Sequence, residues 1–312
     1  MPISRSQVAL NAIQWIHLPA PDGTTLWLYG DPAWVDEQPK VHRIIKDAGY
    51  SAVMMEVLPT QTLQSYKRMI DESGLVVAPG YIQIAAPSTV GKQLTKGTAE
   101  WVHHFDLVRR RAEESNYMGL STVFLASPMN FTAPRVAEAA AVGHAFDQAV
   151  LDEQVEYLAE AAEVLRSEGI RAGFHNHVGS LVETEYEIDY VMANIDAKLL
   201  GASFDVGHLE WAGINAASMI AKYRDRMVDL HIKDLNLEIA RDSREHPRPY
   251  FKTAYSGVFL EPGLGQVDLA GAVAALGDDF TGWILIEVDV ASMEPTESAK
   301  VSWKWVEQTF PA

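Results

Sequence analysis

The 312-residue chain has no cysteine. Disulfides, thiolate metal sites and cysteine nucleophiles are therefore excluded, and a cytoplasmic location is expected. Long apolar runs are also missing. Nothing approaches the roughly 20 apolar residues of a membrane span, and the opening MPISRSQVALNAIQWIH lacks the apolar core and cleavage site of a secretory leader. No membrane partner is expected. Neither G-x-G-x-x-G nor a P-loop follows any apolar run, so the phosphate cradles of open nucleotide-binding sheets are absent. Positive charge is scarce: 25 Lys and Arg stand against 42 Asp and Glu, a net charge of −17. Such a surface repels a phosphate backbone and argues against nucleic acid as a partner and against a nuclease.

What the chain does contain is a regular alternation of short apolar runs and amphipathic helical stretches. Residues 8–13, 52–57, 76–84, 121–126, 172–175, 200–205, 228–232 and 282–288 read as eight strands. Pro79 and Gly80 predict a kink in the third. Residues 100–117 read as one long helix, whose Arg109 to Arg111 fall on a solvated face. Residues 19–32, rich in Pro and Gly, read as a loop over the top of the fold. Residues 127–143 form a long connection suited to covering a pocket. This order predicts an α/β fold: a single (β/α)8 TIM-barrel domain over 1–312, with a long insertion at 235–265 after the seventh strand. An open, doubly wound sheet is the alternative. The insertion shows no clear period and carries Arg241, Arg244 and Arg248. Arg248 is expected to touch substrate.

Polar chemistry gathers where the strands end: His175 and His177, Asp205 and His208, His231 and Lys233. Side chains alternate along a strand, so Asp229, His231 and Lys233 share an inward face, and Glu287 shares one with Leu285 and Asp289. Barrel active sites lie at the carboxyl ends of the strands. Asp205, His231 and Glu287 arrive there from three strands and suit a divalent cation that keeps positions open for substrate oxygens. Glu183, just past the HNHVGS turn, is the choice for a fourth ligand. Glu185 and Glu187 read as solvated acids of a helix's first turn. His175, His177 and Lys233 either move protons or support the ligands, Lys233 by neutralising the acids. Glu56 and Asp289, at the ends of the second and eighth strands, are expected to bind substrate; a structural ion pair is the other reading of Glu56. A buried, hydrogen-bonded Asp205–His231 pair is the plain alternative to a metal.

The motifs HNHVG, VET-x-x-EID, FDVGH, HIKD, PG-x-G-x-VD and GW-x-x-IE resemble the sugar phosphate isomerase/epimerase superfamily of xylose-isomerase-like barrels. Within it the likeness is to inosose dehydratases and to the large subunit of C-glycoside deglycosidases. It covers about residues 171–310. The resemblance implies metal ligands at Glu183, Asp205, His231 and Glu287, and manganese as the cofactor, with magnesium or cobalt as substitutes. It also implies a carbohydrate or cyclitol substrate, an oligomer, and a small β subunit as a partner. The implied reaction is metal-dependent: a proton leaves the carbon beside a ketone, and a β substituent departs. The HNH pair favours elimination, since it offers a separate imidazole as the acid. An isomerase or epimerase using the same metal site, and a non-catalytic subunit, are the alternatives.

Overall fold

The computed structural model describes residues 3–16 and 34–312, so the loop expected at 19–32 lies outside the described residues. In chain order the strands are β1 (Val8–Leu10), β2 (Ala52–Met54), β3 (Val76–Ala78), β4 (Tyr81–Gln83), β5 (Thr122–Ala126), β6 (Arg171–His175), β7 (Leu200–Ala202), β8 (Leu230–Ile232), β9 (Asp234–Leu235), β10 (Phe259–Leu260) and β11 (Ile284–Ile286). The first helices are α1 (Trp34–Ala48), α2 (Leu63–Ser73), α3 (Ala99–His104), α4 (Asp106–Met118), α5 (Pro134–Ala137) and α6 (Gln148–Ser167). They are followed by α7 (Glu185–Asn194), α8 (Val206–Trp211), α9 (Ala216–Lys222), α10 (Leu237–Glu245), α11 (Tyr250–Thr253), α12 (Leu269–Leu276) and α13 (Pro295–Thr309).

Parallel pairing runs β3-β2-β1-β11-β8 in one arc and β4-β5-β6-β7 in the other. The arcs meet at two seams. At the first, the expected third strand breaks: Pro79 has no N–H to donate, β3 pairs with β2, and the Gly80 carbonyl opens pairing with β5 by accepting the Phe124 N–H. At the second, parallel bridges join Ala202 to Met227 and Asp205 to His231. This is the α/β barrel order expected from the sequence.

The apolar residues divide by face. Ala9, Ala52, Ala78, Phe124 and Leu285 form a small cluster, and Leu285 is in register with His231, so these side chains fill the inside. The large cluster, with Val8, Leu10, Val53, Val77, Val123, Phe174 and Ile232, packs against helix residues such as Ile45, Leu158 and Val191. At about 25 cal/mol per Å² of apolar surface buried, this layer dominates folding.

Two expectations change. The helix foreseen at 100–117 breaks at Phe105 into α3 and α4, and Arg111 turns inward to pair with the buried Glu114 at 2.7 Å rather than facing solvent. The aperiodic insertion folds into α10, α11 and an antiparallel β9–β10 pair. Asp234 pins its base by accepting the N–H groups of Gly263, Gly265 and Val267. A Cβ at Gly265 would lie 2.1 Å from Asp234 Oδ1, which is why the turn needs glycine. Above the strand ends the insertion builds a second apolar cluster of Leu235, Ala240, Tyr250 and Phe259 with Val136, Val178, Trp211 and Val288.

Candidate metal centre and active site

β6 ends in His175 and runs on to Asn176 and His177. Asp205 follows β7 and caps α8, its Oδ1 accepting the His208 N–H at 2.9 Å. Asn176 clamps the same turn: its Oδ1 accepts the Asp205 N–H at 2.9 Å and its amide donates to the Asp205 carbonyl at 3.3 Å. The bridge between Asp205 and His231 sets those two side by side. Glu287 and Lys233 each lie two residues beyond the Leu285–His231 register pair, so they are neighbours on the inner face.

One donor atom from each of His175, Asp205 and His231 lies within 4.8 Å of the others, and His177, His208 and Asp289 form a second such group. His231 Nε2 is 3.7 Å from Glu287 Oε2, which also accepts the Asn11 amide at 2.7 Å. The Nδ1 atoms of His231 and His175 are 2.9 Å apart, and Phe124 stacks under the His231 ring. Lys233 sits between the groups, its Nζ 3.2 Å from Asp205 Oδ2, 3.1 Å from Glu287 Oε1, 2.7 Å from Asp289 Oδ1 and 3.2 Å from His208 Nε2. The Tyr250 hydroxyl donates to Asp289 Oδ2 at 3.3 Å.

All of these side chains except the half-buried His177 are buried. Burial pushes Asp205 up to about 6 and Asp289 up to about 8, against the pull of Lys233. Burial raises Glu287 too, but Lys233 and His231 outweigh it and hold that carboxyl well below its usual range. Burial works against the Lys233 charge, yet Asp205, Asp289 and Glu287 hold its pKa well above normal. Desolvation lowers His177 to about 3 and His231 to about 4, and lowers His175 and His208 as well. Four neutral imidazoles therefore offer lone pairs at pH 7.

The set fits a divalent cation. Fully ionised, three carboxylates against one ammonium leave a buried charge of −2, which a cation neutralises. Among the described residues His231 Nε2 and Asp205 Oδ2 have no hydrogen-bond partner; Asp205 Oδ2 faces Lys233 without hydrogen-bond alignment. An unpartnered imidazole nitrogen beside an unpartnered carboxylate oxygen is what a ligand set presents.

Of the residues singled out in the sequence, His175, His177, Asp205, His231, Lys233, Glu287 and Asp289 come together. Glu183, expected as the fourth ligand, belongs to neither donor group and, unlike Glu287, has no hydrogen-bonding or ionic contact with a member of either among the described residues. Its carboxylate accepts the backbone N–H groups of Ala141, Gly143 and Gly179 at 3.1, 2.8 and 2.7 Å, so its lone pairs hold the 127–143 connection instead. Glu187 is not solvated: it is buried, paired with Arg135 and accepting the N–H groups of Glu183 and Thr184. Glu56 is buried and pushed up to about 7 by burial, with Arg111 as its charged neighbour. Arg248 is bonded to Asp242 and Thr253 within the insertion. Asn11, Asn176 and Tyr250 were missed. Asn176 had a signal, standing between the two histidines; nothing local marks Tyr250, which the insertion carries in.

Comparison with known proteins agrees with the fold. A family model described as xylose isomerase-like TIM barrel matches residues 43–309. An inosose dehydratase of Lactiplantibacillus plantarum is 28% identical over 160 residues, 50% of this chain and 53% of that protein. The chain thus spans about half the length of such curated relatives in these matches. Among solved structures, a xylose isomerase-like TIM barrel protein from Mycobacterium smegmatis in complex with magnesium aligns with a TM-score of 0.67 at 17% identity, over 98% of both chains. A probable 3-DHS dehydratase, AsbF from Bacillus anthracis, aligns at 0.66 and 11% identity, over 96% of this chain and 97% of that one.

Proposed function

The chain belongs to the xylose isomerase-like TIM barrel family, and from that premise we propose that it is a metal-dependent lyase. Its substrate is a keto-sugar or keto-cyclitol, which loses a proton beside the carbonyl and then a β substituent. The dehydratase names of the relative and of the structural neighbour support this reaction class. Asp205, His231 and Glu287 would hold the ion, with His175 as the fourth donor where Glu183 was expected. Two imidazoles and two carboxylates suit manganese or cobalt better than magnesium. When bound, the ion supplies Lewis-acid stabilisation of the negative charge that develops on substrate oxygen.

The observation that carries this reading is a histidine of fixed tautomer, His177, grouped with a buried carboxyl, Asp289. A carbonyl only accepts, so His177 Nδ1–H donates to Val178 O at 2.7 Å, leaving Nε2 as a lone pair. His177 is neutral and half-buried where its neighbours are enclosed, so it is the base. Asp289, pushed up to about 8 by burial and held by Tyr250 and Lys233, keeps a proton near neutrality and is the acid. His177 takes the proton from carbon, the electron pair becomes the new C=C bond, and Asp289 protonates the departing oxygen. Lys233 is no base: the acidic groups around it, Asp205 first, hold its pKa well above normal, and it fixes their positions.

The test is incubation of the manganese-loaded protein with 2-keto-myo-inositol and with a 3-oxo-glucoside. An enone or a released aglycone is expected from one of them. His177→Asn should keep its metal by elemental analysis while turnover falls by about 10²–10⁴-fold; Asp205→Asn should lose metal and activity together. Deuterium uptake from solvent with no loss of water or aglycone would instead mark an epimerase.

A further inference from the structure

Asn11 follows β1 directly, and strand pairing sets its place: Leu10 is in register with Ile286, and the Asn11 N–H donates to the Ile286 carbonyl at 2.9 Å. Ala9, two residues earlier, lies in the inner cluster, so Asn11 also faces inward, beside Glu287. The side chain is buried and both of its ends are committed. Its Oδ1 accepts the Ile13 N–H at 3.1 Å, capping the short turn Ala12–Trp15, and its amide NH₂ donates to Glu287 Oε2 at 2.7 Å. Turned over, the amide would set its oxygen against the carboxylate and its NH₂ against a donor. Only one orientation satisfies both partners.

Glu287 is thereby held from two sides. Lys233 Nζ lies 3.1 Å from its Oε1, while Oε2, the oxygen bound by Asn11, is the one 3.7 Å from His231 Nε2. Among the described residues nothing hydrogen-bonds that imidazole nitrogen. A carboxylate pinned at each oxygen by a different donor is held against rotation. One oxygen is turned toward the free lone pair of His231, and the other is occupied by an ammonium.

We propose that Asn11 is a positioning residue, which holds Glu287 as a one-oxygen ligand and so sets both the affinity and the ion preference of the site. The inference rests on the metal site of the preceding reading and not on the reaction proposed there. Hydrogen bonds to ligating carboxylates fix their orientation, and losing one typically costs about 10–100-fold in metal affinity. The number of oxygens offered also bears on which ion is held. Ca²⁺ takes about 6–8 oxygens and accepts two from one carboxylate, whereas smaller divalent ions demand a stricter octahedral geometry. A Glu287 released by Asn11 can offer both oxygens, which favours Ca²⁺ at the expense of Mn²⁺.

Two substitutions separate this role from the turn cap. Asn11→Ser keeps an oxygen for the Ile13 N–H, since serine caps well, but is too short to reach Glu287; Asn11→Ala loses both contacts. Isothermal titration of the metal-free whole protein with MnCl₂ and with CaCl₂, without substrate, reads the effect beside the Tm of the metal-free forms. Both variants should weaken Mn²⁺ binding by about tenfold or more and narrow the preference for Mn²⁺ over Ca²⁺, with the Tm of metal-free Asn11→Ser unchanged. Should Asn11→Ser not fold, the two-ion comparison on Asn11→Ala decides. Mn²⁺ binding restored by serine but not by alanine would mean that only the cap matters and would overturn the assignment. Equal weakening of both ions would overturn it as well. Wild-type protein that binds no Mn²⁺ overturns this inference together with the metal site, whereas Mn²⁺ binding that depends on Asn11, with no enone or aglycone formed, supports it and sinks only the lyase reading.

Discussion

Three backbone N–H groups converge on the Glu183 carboxylate, and that convergence decides what this residue does. A carboxylate accepting three N–H groups from Ala141, Gly143 and Gly179 already spends most of its lone pairs. Burial raises its pKa, while Arg135 and the three N–H groups pull it down. Glu183→Gln puts an amide NH₂ against backbone donors and leaves at least one of them unsatisfied, at a cost of about 1–3 kcal/mol. A fall in Tm of several degrees is expected, with metal content by elemental analysis unchanged. Loss of metal at unchanged Tm would restore Glu183 to the ligand set. His175 is the converse: it reads as a proton carrier from its place in the HNH motif, yet its ring stands among the metal donors, 2.9 Å from His231.

At the scale of elements, the interrupted third strand links the two sheet arcs. β3 pairs with β2, β4 pairs with β5, and the Pro79–Gly80 step between them lets one segment serve both. The backbone there passes close to its neighbour: a Cβ on Gly80 would meet the Met55 carbonyl at 2.8 Å and Arg111 Nη1 at 3.2 Å. A backbone carbonyl cannot yield as a side-chain tip does. Gly80→Ala is therefore expected to destabilise the fold by about 1–3 kcal/mol, read as a lower denaturation midpoint at unchanged slope. The insertion is the second element that matters. Its α11 carries Tyr250 to Asp289 and roofs the cluster with Phe259 and Trp211, so a segment without visible periodicity supplies a partner of Asp289.

For the whole molecule, groups buried without their proton contribute to stability against acid. His42 on α1 is 1% exposed, and burial lowers its imidazole from 6.5 to about 4. Between those values the unfolded chain binds the proton and the folded chain does not. Its contribution is thus intact above pH 6.5 and is lost as pH falls toward 4, by on the order of 3 kcal/mol. His42→Gln should flatten the dependence of Tm on pH across that window and leave the pH 7–8 region without a new slope. Parallel curves for the two proteins would show that His42 takes up its proton while folded. Raised carboxyls such as Asp229, at about 6, act in the opposite direction, which is why the difference between the two proteins is the quantity to read.

The alternation of apolar runs with helices, the Pro79–Gly80 break and the placing of His175, Asp205, His231, Lys233 and Glu287 at strand ends were legible in the sequence alone. Each depends on short-range rules: the period of side chains along a strand, the missing N–H of proline, and the polarity change where a strand leaves the core. Tertiary structure decided which lone pairs converge. In sequence Glu183 reads as a metal ligand and Glu187 as a solvated acid, and neither is how the fold uses them. They part because the 127–143 connection returns to one with its N–H groups and Arg135 returns to pair with the other. Likewise the register between β8 and β11 sets Lys233 against Glu287, and the folded insertion brings Tyr250 to Asp289. Such meetings join segments far apart in the chain, and no local pattern encodes them.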